Sequence, residues 1–274
     1  MPHRQRTAEP HPLNHGRRRA GLLTIGLTGA IASSLVGCGL LRQPSPIGME
    51  VVHDDAACAH RAPVLLVLLP GAYMTPAELQ QQGFVAALRQ RRLAVDVAIA
   101  DAHLGYVYAG SMLERLHQDV IAPALAQGYR RIWLAGISLG GYVALQYARA
   151  HPGVVEGMVL LAPYLGRREL LASIAAAGGP LAWRDAAQPR DANDVDHALW
   201  QWLAAPAAGA PPFWLGYGSE DRLVEGHRLL AGLLASASTA DRVSEVPGGH
   251  DWPPWRSLWA SWLDRGLLPN RCDG

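Results

Sequence analysis

Three residues have the types and settings that acyl chemistry needs: Ser138 in G-I-S-L-G-G, Asp221 in G-S-E-D-R-L-V and His250 in P-G-G-H-D. A serine hydroxyl is a poor nucleophile until a histidine accepts its proton and a carboxylate orients that histidine. Gly136 and Gly140 flank the serine, as they must where a turn tight enough to lift a hydroxyl above a sheet edge leaves no room for side chains. Glu220 competes with Asp221 for the acid's part. Asp251, on the far side of His250, reads as solvated.

Such residues need strands and helices to position them, and the chain alternates the two. Residues 132–135 form a wholly apolar run, the mark of a strand buried on both faces, and 139–150 carry apolar residues at helical spacing until His151-Pro152-Gly153 stops them. Upstream, 63–69 predict a strand that ends at Pro70-Gly71-Ala72-Tyr73. Thr75, Pro76 and Glu78 then start a helix to about Gln90. A strand over 93–100 leads to Asp101-Ala102-His103, and Ser111 begins a helix lasting to about Gln127. Downstream come strands over 154–161, 213–217 and 242–246, a helix over 225–234 and a closing tryptophan-rich helix. Between them, 166–212 break into alanine-rich pieces with helices at 169–176 and 195–203, read as a small cap.

This pattern predicts an α/β fold, with a mostly parallel central sheet and helices on both faces. Ligands of such sheets bind at the carboxyl edge, which gathers Ala72, Asp101, Ser138 and Pro163 around one crevice. Asp101 and His103 read either as substrate contacts there, or as a helix cap or buried pair. Trp255, Trp259 and Trp262 make one helical stripe, expected in the core, with a membrane interface as the alternative.

All 24 basic residues among the 274 are arginine. Without lysine, Schiff-base, P-loop and kinase chemistries are excluded. A net charge of +1 and the lack of a basic aromatic stripe argue against nucleic acid as a partner. Cys58-Ala59-His60 with His53 does not complete a zinc spacing, so no metal is expected.

The first 19 residues are polar and end in Arg17-Arg18-Arg19, and no charge follows from Ala20 to Leu41. That uncharged run is long enough to span a bilayer. It closes on Leu35-Val36-Gly37-Cys38, which resembles the lipobox of bacterial lipoproteins. The resemblance implies a signal peptide over 1–37, lipidation of Cys38, a tether over 38–49 and a folded domain over 50–274. The protein would then be lipid-anchored in the cell envelope, and Gly39 resembles the sorting class of the outer membrane facing the periplasm. Arg18-Arg19 also fits a loose twin-arginine signal. Export would place Cys58 and Cys272 in an oxidising compartment, where a disulfide between them is expected.

The order Ser138, Asp221, His250, with the glycine-flanked serine and the G-G-H loop, resembles the α/β-hydrolase family over about 63–263. The resemblance implies the α/β-hydrolase fold, with Ser138 on a nucleophile elbow. It also implies an oxyanion hole from the N–H groups of Leu139 and Ala72, with Tyr73 as the alternative to Ala72. Pro70-Gly71 stands where many members have His-Gly. The implied function is a serine hydrolase of carboxylic esters or related acyl bonds that needs no cofactor and works through an acyl-serine intermediate. The alternative is a non-catalytic envelope lipoprotein that uses the fold to bind a lipid or protein partner.

Overall fold

β2 (Val64–Leu69) and β3 (Val95–Ala100) bury all six of their residues, which requires cover on both faces of the sheet they belong to. That sheet has seven strands in the order β1-β3-β2-β4-β5-β6-β7, completed by β1 (Val51–Asp54), β4 (Arg131–Ile137), β5 (Gly157–Leu161), β6 (Phe213–Gly218) and β7 (Val243–Val246). All neighbours are parallel except β1, which runs antiparallel to β3. This is the mostly parallel α/β sheet that the sequence pattern predicts. The computed structural model describes residues 48–58, 61–186, 194–205, 210–237 and 239–268. The leader over 1–37, Cys38 and Cys272 lie outside them. Cys58 is disulfide-bonded.

The edge strand β1, unforeseen from its short half-exposed sequence, is tied down by Arg89. That side chain donates from Nε to Asp54 Oδ1 at 2.6 Å, from Nη2 to Asp54 O at 2.7 Å and from Nη1 to Val95 O at 2.9 Å. The helix expected from Thr75 to Gln90 is two, α1 (Pro76–Gln81) and α2 (Phe84–Gln90). Gly83 parts them with φ 84°, a left-handed conformation that suits glycine. Thr75 forms the capping box with Glu78.

A short helix, α3 (Leu104–Tyr108), follows β3. The helix expected over 111–127 is α4 (Met112–Leu116), a π-helical turn (His117–Ile121) and α5 (Ala122–Ala126). Pro123 lacks an N–H and its ring crowds the carbonyl four residues back, so the widened turn before it has a cause. Ser111 precedes α4 without capping it.

α6 (Leu139–Ala150) packs on β4, β2 and β5. The segment between β5 and β6 holds α7 (Arg168–Ala176), α8 (Pro180–Ala186) and α9 (Val195–Ala204), one helix more than expected. α10 (Val224–Ser236) follows β6, and α11 (Trp252–Asp264) packs on β6 and α2. Trp255, Trp259 and Trp262 are each 1–2% exposed, so the stripe is core and the membrane alternative for it is overturned. The Trp259 indole donates to Phe84 O at 3.0 Å and that of Trp262 to Ser244 Oγ at 3.2 Å. No helix among the described residues is long and apolar enough to cross a membrane.

Two glycines test how tightly the elements close. A Cβ on Gly140 would stand 2.0 Å from Leu69 O, whereas one on Gly232, mid-way along α10, would meet nothing within 4 Å. Gly140→Ala is expected to destabilise by at least about 3 kcal/mol. Gly232→Ala should stabilise by about 0.5–1 kcal/mol. Urea unfolding midpoints of the two variants check both signs.

Candidate active site

β4 delivers Ser138 to the carboxyl edge of the sheet, and α6 begins immediately after it. Ser138 has φ 54° and ψ −112°, a conformation that costs a non-glycine residue about 1–3 kcal/mol. Backbone contacts enforce it. Ser138 N–H donates to Leu161 O at 2.9 Å, and Ser138 O accepts from Tyr164 N at 2.9 Å and Gly141 N at 3.1 Å. The flanking glycines are required sterically, because a Cβ on Gly136 would lie 2.2 Å from Gly140 O.

Asp221 lies in the turn after β6 and His250 in the loop after β7. The two loops are zipped together by Ser219 N donating to Val246 O at 2.8 Å and Glu220 N donating to Gly248 O at 2.9 Å. Gly218 allows that crossing, since a Cβ there would stand 2.1 Å from Gly248 O.

Ser138, His250 and Asp221 meet in one hydrogen-bonded chain. Asp221 accepts from His250 Nδ1 at 2.8 Å and 3.0 Å through its two oxygens, which leaves the Nε2 lone pair to accept from Ser138 Oγ at 2.9 Å. Burial pushes the Asp221 carboxyl up, but the hydrogen bonds from His250 and from Leu223 N–H outweigh it and hold the pKa below the ordinary value. The Trp255 ring meets His250 edge-on at 5.1 Å and walls the imidazole in. Glu220, the competing acid, is exposed, and so is Asp251.

Leu139 opens α6, where its N–H has no carbonyl of the same helix to bond. The loop after β2 runs beside the serine, for a Cβ on Gly71 would lie 3.5 Å from that of Ser138. Ala72 follows directly, while the Tyr73 side chain is exposed. His103 takes the cap reading, its Nδ1 accepting from Gly105 N–H at 3.0 Å at the start of α3. Asp101 N–H donates to Glu50 O at 2.8 Å beside β1.

His227 is a site neighbour that sequence reasoning missed. It is fully buried on α10, and its Nε2–H donates to Pro163 O at 2.9 Å. Pro163 precedes Tyr164, whose N–H holds the Ser138 carbonyl, so His227 braces the elbow from behind. The signal was present, because His227, Leu230 and Leu234 fall on one buried helical stripe.

A cavity of about 230 Å³ opens beside Leu139, between α3–α4 and α6. Another, of about 560 Å³, lies by Phe213 and Arg242 at the opposite, amino edge of the sheet, away from Ser138.

A model of the Alpha/beta hydrolase family matches residues 66–268. No curated protein matches the sequence. Among solved structures, the chain is similar to a ferulic acid esterase, with TM-score 0.52 and 15% identity over 79% of this chain and 97% of that one. It is similar to S-formylglutathione hydrolase FrmB from Staphylococcus aureus, with TM-score 0.54 and 12% identity over 81% and 99% of the two chains. MPT51 (FbpC1) of Mycobacterium tuberculosis gives TM-score 0.56 and 15% identity over 82% and 96%. At these identities the likeness is one of fold.

Desolvation pushes the His227 pKa down to about 4. An unfolded chain takes up that proton near pH 6.5 and the folded one only near 4, so stability falls as pH drops through this window and is constant on either side of it. The loss assigned to His227 between pH 7 and pH 5 is about 2 kcal/mol. Urea midpoints at the two pH values measure it, and His227→Gln should reduce the difference by that amount.

Proposed function

The chain belongs to the Alpha/beta hydrolase family, and we propose that it is a serine hydrolase that cleaves carboxylic esters or related acyl bonds through an acyl-Ser138 intermediate. The observation that carries this reading is the Ser138–His250–Asp221 hydrogen-bonded chain at the carboxyl edge of the sheet. Ser138 Oγ attacks the substrate carbonyl carbon as His250 Nε2 takes its proton, and the carbonyl becomes a tetrahedral oxyanion. The N–H groups of Leu139 and Ala72 receive that charge, each such donor contributing about 3–4 kcal/mol to the barrier reduction. Collapse breaks the bond to the leaving alcohol, which departs with the proton from His250. Water then repeats the sequence on the acyl-serine, releasing the acid and restoring Ser138. Asp221 stays ionised throughout and steadies the imidazolium, in keeping with its depressed pKa.

We assign the leader the role its sequence suggests: residues 1–37 export the chain and Cys38 carries the lipid that anchors it to the envelope membrane. The first described residues support a tether held close to the domain. Met49 N–H donates to Asp119 Oδ2 at 2.7 Å, and Gly48 O accepts from the Tyr106 hydroxyl at 3.2 Å. From Cys38 to Gly48 the chain reaches at most about 35 Å, so Gly48 stays within that distance of the bilayer. In the same compartment, Cys272 is the partner we assign to Cys58.

A fluorophosphonate probe should label Ser138 in the folded protein, and Ser138→Ala should abolish the labelling. Asp221→Asn should leave the fold intact and lower kcat on p-nitrophenyl esters by about 10⁴-fold, since the histidine then takes the wrong tautomer. Activity equal to wild type in either variant would overturn the assignment. Metabolic labelling with radioactive palmitate should mark the protein, and Cys38→Ala should abolish the label.

A further inference from the structure

The cavity beside Leu139 is the start of a groove, and what closes its far end says more about the substrate than its apolar walls. One wall is a face of α6 bearing Leu139, Tyr142 and Val143. The other carries Met112 and Leu113 from α4, with Val107 of α3 and Val195 of the cap at the rim. Val107 and Val195 are both exposed, as is Tyr73 in the loop beside Ser138. The groove is smaller than the roughly 300–1,000 Å³ of a drug-sized ligand site, so it fits a short to medium chain.

At the distal end stands Arg149. Its Nε donates to Gln146 Oε1 at 3.1 Å, and Gln146, itself buried, is fixed by donating from Nε2 to Val195 O at 3.1 Å. The guanidinium is therefore aimed and held, yet its Nη groups meet no carboxylate among the described residues. The two cap acids that flank Val195 are engaged elsewhere: Asp196 accepts from the Tyr142 hydroxyl at 2.7 Å and faces Arg167 at 3.9 Å, and Asp194 accepts from Arg167 Nη2 at 3.0 Å. An oriented arginine with unused donors at the end of an apolar channel suits a planar anion.

We propose that this groove binds the acyl part of the substrate and that Arg149 binds a carboxylate at its far end. The preferred substrate is then a monoester of a medium-chain dicarboxylic acid. The proposal rests on the acyl-serine reading above. The acyl part is the half that stays bonded to Ser138 Oγ in the intermediate, and the groove begins at the next residue. Ten residues of helix, about 15 Å, separate Leu139 from Arg149. The arginine leans back over the preceding turn, as its bond to Gln146 shows, so its charge falls roughly 10 Å from the scissile carbonyl. The chemistry is ordinary ester hydrolysis, in which the ester C–O bond breaks, water supplies the new hydroxyl and the products are the dicarboxylate and the alcohol.

The test compares p-nitrophenyl octanoate with mono-p-nitrophenyl suberate, acyl chains of equal length that differ in the terminal carboxylate. The full-length protein should show a kcat/KM about tenfold higher for the suberate, through a lower KM. Rising salt should shrink that ratio. Arg149→Gln should bring the ratio to one or below, and Arg149→Lys should restore most of it. Arg256→Gln, a change at an exposed arginine on α11, should leave the ratio as in wild type. A wild-type preference for octanoate, a salt-independent ratio, or a ratio unchanged in Arg149→Gln would overturn the proposal while ester hydrolysis itself persists. Absence of hydrolysis of both esters together with no fluorophosphonate adduct on Ser138 would instead sink the hydrolase reading, and this one with it.

Discussion

The carbonyl oxygen of Gly140 occupies the space where a side chain on Gly136 would begin, and the rest of the structure depends on that crowding. It exists because β4 must turn into α6 within a few residues while β2 and β5 pass on either side. The turn leaves Ser138 with positive φ, a strain of about 1–3 kcal/mol. The sheet offsets it, through strands buried on both faces and through the Leu161 and Tyr164 backbone contacts that grip the serine peptide, joined by Gly141 N–H on the same serine carbonyl. The same geometry that strains the backbone holds the hydroxyl in the line of His250 Nε2.

A second close approach completes the site. Gly218 and Gly248 let two loops cross at backbone contact, so that Asp221 and His250 share a hydrogen bond walled by Trp255. Burying a carboxylate is costly unless its oxygens are satisfied. Here the His250 Nδ1–H and the Leu223 N–H satisfy it, which is why its pKa lies low despite the burial. A polar chain with each member satisfied from outside is rigid, and that rigidity lets a histidine act on one serine oxygen.

Much of this was legible in the sequence because burial writes itself into composition. Val64–Leu69 and the run around Leu134 could only be strands covered on both faces, and glycines beside Ser138, Asp221 and His250 marked where backbones touch. What was not legible had local sequence at odds with its setting. β1 is half exposed and held by Arg89 from a distant helix, α3 is five residues long, and Gly83 splits a helix whose apolar spacing runs on through it. Asp96 interrupts the apolar pattern of β3, and only the fold reveals its partners, the Tyr129 hydroxyl at 2.7 Å and Ala56 N–H at 2.7 Å. The tryptophan stripe was ambiguous because a core face and a membrane face use the same residues. The indole hydrogen bonds to Phe84 and Ser244 resolve it.

The central claim is that Ser138 forms a covalent acyl intermediate. Acid quenching during turnover of p-nitrophenyl acetate, followed by intact-mass and peptide mass spectrometry, tests it most directly. One acetyl group per chain, carried on Ser138 and lost on further incubation at neutral pH, is the predicted result. Steady hydrolysis with no acetyl group on Ser138, or with the acetyl group on another residue, would contradict it.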